Sequence, residues 1–106
     1  MFYELRQYVI RPGCMEAWVA FMEDEIIPFQ VARGAVIAGM FRGEEDDSVY
    51  VWLRRFESEA ERERLYEAVY QSEEWKTYFG PRVGELIVRE EIKVQRIVPT
   101  PHSVIR

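Results

Sequence analysis

Ser48-Val49-Tyr50-Val51-Trp52-Leu53-Arg54-Arg55-Phe56 is the stretch on which the fold turns. Val49, Val51 and Leu53 fall on one face of an extended chain and Tyr50, Trp52 and Arg54 on the other, the period of a β-strand. Just beyond it, Ser58-Glu-Ala-Glu61 has the spacing of a capping box, in which the serine hydroxyl and the glutamate carboxylate satisfy opposite free amides at a helix start. Leu65 and Val69 continue that helix as a buried stripe. Upstream, Ala35–Arg42 reads as a strand and Gly43-Glu-Glu-Asp-Asp47 as a charged turn, so the two strands form an antiparallel hairpin. The acidic turn lacks the spacing and central glycine of a calcium loop, and no metal site is expected there.

The remaining elements follow outward. Phe2–Ile10 alternates as a strand, with Tyr3, Leu5, Gln7 and Val9 on one face and Glu4, Arg6 and Tyr8 on the other. Met15, Trp18, Met22, Ile26 and Phe29 form the stripe of an amphipathic helix. Pro28 is expected to kink or loosen its last turn, and Gly34 after Arg33 to stop it. Ser72 re-caps a segment carrying Trp75, Phe79 and Val83, which Gly80-Pro81 should end or bend. Leu86–Val98 reads as a long last strand, closed by Pro99-Thr-Pro101. The order βαββαβ predicts an α+β, ferredoxin-like domain: a four-stranded antiparallel sheet with both helices on one face. The first and third strands are expected as central neighbours and are read as running parallel, so that their like-facing residues share one concave surface.

Composition bounds the rest. The chain has 106 residues, 48% hydrophobic, with 19 acidic against 14 basic side chains, and reads as a single domain, 1–106, with a tail at 99–106. The net charge of −5 argues against nucleic acid as a partner. One cysteine and one histidine argue against disulfides, metal knuckles and most triads. Neither a signal sequence nor a run of about 20 apolar residues is visible, so no membrane association and a cytoplasmic location are expected.

The apolar face of Leu5, Val9, Val49, Val51 and Leu53 is expected to take the helices. The opposite face is too greasy for water yet too charged for a dry core. A second copy packing there, around a polar cavity, would reconcile the two, and a homodimer is expected through Tyr8, Tyr50 and Trp52. The candidate ligand-binding residues are therefore Glu4, Arg6, Tyr8, Tyr50, Trp52 and Arg54. The arginines would hold a carboxylate or enolate, the aromatics would stack on a flat ligand, and Tyr8 or Glu4 would move a proton. Two arginines against one glutamate leave a positive charge for an anion or for an acid such as Glu91. Cys14 reads as a small, partly buried hydrophobe, and His102 as a solvated tail residue. Trp18, Trp75 and Phe79 read as core.

Tyr3-Glu-Leu-Arg-Gln-Tyr8, Arg11-Pro-Gly13, Glu25-Ile-Ile-Pro28, Val51-Trp-Leu-Arg54, Ser72-Glu-Glu-Trp75 and Pro99-Thr-Pro-His-Ser103 together resemble the NIPSNAP family, in order and over nearly the whole chain. Cys14 and His102 depart from the family's pattern. The resemblance implies a dimeric α/β barrel and a small apolar or aromatic ligand, with no settled reaction, and no cofactor is expected. The function expected is that of a homodimeric small-molecule-binding protein. The alternative is a cofactor-independent monooxygenase, decarboxylase or isomerase acting on a carbonyl compound.

Overall fold

A computed structural model describes all 106 residues. Strand β1 (Phe2–Val9) leads to helix α1 (Met15–Phe21), a π-helical turn (Met22–Ile26) and helix α2 (Ile27–Val31). Strands β2 (Val36–Arg42) and β3 (Val49–Phe56) form the hairpin, and helix α3 (Glu59–Tyr70) follows. A second π turn (Trp75–Phe79) runs into helix α4 (Gly80–Leu86), a 3₁₀ turn (Arg89–Glu91) and strand β4 (Lys93–Ile97). The sheet order is β2-β3-β1-β4 and every pairing is antiparallel. This is the ferredoxin-like α+β arrangement expected of the element order.

The local signals act as the sequence suggests at several points. The Ser58 hydroxyl accepts from the Glu61 amide at 3.1 Å, and the Ser72 hydroxyl accepts from the Trp75 amide at 3.1 Å. Gly34 adopts φ +102°, a conformation costly for any residue with a Cβ, and Arg33 donates to the Phe29 carbonyl at the helix end.

The prolines behave differently. A proline in a helix orphans the carbonyl four residues earlier. Here each π turn precedes a proline at the start of the next helical segment: the Ile27 amide bonds to Met22 and the Gly80 amide to Trp75, one residue further back than α-helical spacing. The ladder is thus re-registered ahead of Pro28 and Pro81, and both helices continue. Gly80 is needed there, because a Cβ would stand 2.9 Å from the Trp75 carbonyl oxygen. The segment predicted to end at Gly80-Pro81 therefore stays helical to Leu86, and the long strand expected from Leu86 shrinks to five residues.

Two further expectations are overturned. β1 and β3 are antiparallel, in the register Glu4↔Arg54, Arg6↔Trp52 and Tyr8↔Tyr50. A split βαβ unit makes β1 parallel to β2, and the hairpin then reverses β3. The helices also cover the other sheet face. Trp18, Phe21, Met22 and Ile26 from the first helical segment pack with Tyr8, Tyr50 and Trp52 in one buried cluster. A second cluster joins Phe2 and Phe56 to Leu65 and Val69. The Tyr8–Tyr50–Trp52 face is thus filled by the chain's own helices and is not available to a second subunit. The physical reason is size: aromatic side chains bury about 150–250 Å² each, more than the valines and leucines opposite, and the charges among them pair with one another. Leu5, Val9, Val49, Val51 and Leu53 are left half-buried on the outer face.

Candidate functional site

Glu4 and Arg54 meet across the β1–β3 register, buried to 2% and 0% exposure. Arg54 Nη2 donates to Glu4 Oε1 at 2.8 Å, and Arg6 Nη1 stands 3.6 Å from the same oxygen. Glu4 Oε2 accepts from the Tyr66 hydroxyl, supplied by α3. Arg54 Nη1 donates to Gln30 Oε1 at 2.9 Å, reaching up to α2, and the guanidinium lies 4.7 Å from the Trp52 ring centre. One carboxylate therefore serves two guanidinium groups. Burial pushes the Glu4 carboxyl up, but Arg54, Tyr66 and Arg6 outweigh it and hold it below the usual carboxylate range.

Arg6 also donates from Nε to the Tyr8 hydroxyl at 2.9 Å and from Nη1 to the Tyr66 hydroxyl at 3.1 Å; its Nη2 makes no hydrogen bond to the protein. Burial raises the Tyr8 phenol and, at Tyr66, raises the pKa to about 12, so both are neutral near pH 7.

Between this cluster and the helices lies a cavity of about 160 Å³. Its sheet wall is Arg6, Tyr8 and Trp52; its helix wall includes Trp18, Met22, Ile26 and Gln30. Half-buried Tyr70, Trp75 and Ile92 and the exposed Arg89 complete it on the solvent side. Five buried polar side-chain atoms have no hydrogen-bond partner, and three of them, Trp18 Nε1, Gln30 Nε2 and Trp52 Nε1, belong to residues of this cavity. An unpaired buried donor costs about 1–3 kcal/mol, so this concentration of them is a local departure from stability.

The six residues singled out in the sequence divide accordingly. Arg6, Tyr8 and Trp52 line the cavity; Glu4 and Arg54 stand behind it as the ion cluster; Tyr50 packs edge-on against Trp18 at 5.8 Å. Glu91 is exposed on the 3₁₀ turn and joins no ion pair, because the strand expected to carry it inward is not formed there. The remaining hydrogen bonds of the arginines are instead met by neutral groups, Gln30 and Tyr66, neither of which the sequence reading picked out. Gln30 had a signal: it falls four residues after Ile26, a polar side chain on an apolar stripe. Trp18 and Trp75, read as core, line the cavity as well.

The NIPSNAP family model matches residues 3–103. A NIPSNAP family protein of unknown function from Agrobacterium tumefaciens, Atu4242, superposes with a TM-score of 0.86 at 27% identity, covering 100% of this chain and 94% of that one. Another from the same organism, Atu5224, gives a TM-score of 0.86 at 23% identity over 99% and 98%. An antibiotic biosynthesis monooxygenase shares the fold more distantly, with a TM-score of 0.70 at 14% identity over 95% and 100%. No curated protein matches the chain. No helix is long and apolar enough to cross a membrane.

Proposed function

The chain belongs to the NIPSNAP family, and from that premise we propose that it is a homodimer that holds a small apolar or acidic metabolite between its sheet and helices without transforming it. The carrying observation is the cavity of about 160 Å³ walled by Arg6, Tyr8 and Trp52 on one side and by the helices on the other. Binding is favoured over catalysis by the state of its titratable groups. Glu4, the one carboxylate in the cluster, is engaged by Arg54, Arg6 and Tyr66 and kept ionised, so it is a counterion and a weak base. The neighbouring phenols are held neutral.

A dimer is supported by the outer sheet face. Leu5, Val49, Val51 and Leu53 are half-buried there, and Phe41 and Val36 on β2 are 56% and 49% exposed. Contiguous apolar surface of this kind is uncommon on a monomer, and a second copy of the same face is apolar enough to cover it. Such an interface needs about 1,000 Å² or more in total.

One contact favours the catalytic alternative, a cofactor-independent monooxygenase, decarboxylase or isomerase acting on a carbonyl compound. Tyr8 accepts from Arg6 Nε, which leaves its own hydroxyl hydrogen free for a ligand.

The three tryptophans of the chain, Trp18, Trp52 and Trp75, all line the cavity, so intrinsic fluorescence reports on it. Titration with benzoate, phenol and toluene is expected to give a saturable change with at least one, abolished when Val83→Phe fills the wall. A flat response to all three would overturn the binding reading, and turnover of a carbonyl substrate would favour the alternative.

A further inference from the structure

The cavity is chemically one-sided, and we infer that its ligand is a one-ring anion whose head group only accepts hydrogen bonds, a carboxylate or an enolate, seated against Gln30 Nε2 and Arg6. This rests on the binding reading above and narrows it to one class of ligand.

Residues of the wall carry donors that have no partner. Gln30 is 1% exposed, and its amide orientation is fixed, because only its oxygen can face the Arg54 guanidinium 2.9 Å away. The NH₂ end is thereby turned from that partner and has none of its own. Trp18 Nε1 is likewise unpaired, and an indole nitrogen can only donate. Arg6 Nη2, on the sheet side, is a further donor without a protein partner. No carboxylate lines the cavity, and the Gln30 oxygen is already taken. Charge points the same way: Arg6 and Arg54 share the single carboxylate of Glu4, leaving one positive charge uncompensated in the cluster. An amine would bring donors to donors and a cation to a cationic wall. A carboxylate or enolate would answer both. The volume sets the size, since an apolar cavity of about 150 Å³ admits benzene, and the aromatic walls of Trp18, Trp52 and Tyr8 suit a flat ring.

The test is calorimetric titration of the intact protein with benzoate, benzyl alcohol, benzylamine and toluene. Benzoate is expected to bind at least about tenfold tighter than benzyl alcohol or toluene, and benzylamine not at all. Gln30→Glu keeps an oxygen for Arg54, so the fold is retained, but it replaces the donor with a second acceptor. It is expected to remove benzoate binding while toluene, which needs no donor, still binds. Arg6→Met is expected to weaken benzoate by about tenfold or more. Toluene binding as tightly as benzoate, or benzoate surviving Gln30→Glu, would overturn the inference while leaving a binding cavity intact. Binding of none of the four would remove the binding reading itself, and the inference with it.

Discussion

Glu4→Gln is the substitution that probes the buried cluster most sharply. It preserves shape and an oxygen for the Tyr66 hydroxyl, and removes the one negative charge that Arg54 and Arg6 share at 2.8 and 3.6 Å. Two unit charges 4 Å apart interact by about 4 kcal/mol at an effective dielectric of 20. Arg54 is fully buried and cannot turn to water for compensation. Removing one partner of a buried pair typically costs about 3–5 kcal/mol, a large share of the roughly 5–15 kcal/mol that holds a domain folded. At about 4–8 °C per kcal/mol for a domain near this size, Tm should fall by at least about 12 °C. Urea unfolding of the same variant gives the free energy directly. Adding Arg54→Met removes the stranded charge, so the double variant should be less destabilised than the sum of the singles by about 1–3 kcal/mol. A loss below about 1 kcal/mol for Glu4→Gln, or strict additivity with Arg54→Met, would refute the claim that this carboxylate is the counterion of the buried Arg54.

Because the folded Glu4 pKa lies below its unfolded value, its contribution is fully present above the unfolded pKa and is lost as pH falls through the folded one, so Tm should drop in acid and do so far less in Glu4→Gln. Tyr66, raised to about 12, has the opposite sense: the unfolded phenol ionises first, so stability should decline from about pH 10 upward, a slope that Tyr66→Phe should reduce. Val51→Glu on the outer sheet face should convert a dimer to a monomer near 12.7 kDa by sedimentation without unfolding it. Ser58→Ala removes the cap of α3 and should cost about 1 kcal/mol by urea denaturation.

The element order was legible because strand alternation and helix stripes are local signals. Ser58, Ser72 and Gly34 mark ends whose hydrogen bonds close within a few residues. The π turns were not legible: a proline in a stripe announces a defect, and only the surrounding packing decides that it is absorbed by one extra residue per turn before Pro28 and Pro81. The residues of the site were half legible. Arg6, Tyr8 and Trp52 share a face by period alone, but which face the helices cover depends on the volume of the whole layer. Aliphatic Leu5, Val51 and Leu53 looked like the inside because each is apolar, whereas the bulkier Tyr8, Tyr50, Trp52 and Phe56 became the inside once Glu4 and Arg54 neutralised each other. Gln30 and Tyr66 come from helices distant in sequence from the strands they satisfy, so their partnership is a property of the packed structure alone.

The space between sheet and helices is the proposed binding site, and the most direct measurement of it is a two-dimensional ¹H–¹⁵N NMR titration with benzoate that follows the side-chain N–H signals. The indole resonances of Trp18 and Trp52 and the amide pair of Gln30, the donors without partners in the wall, are expected to shift together and saturate with one dissociation constant. Saturable shifts confined to surface backbone amides, with these three side chains unmoved, would contradict it.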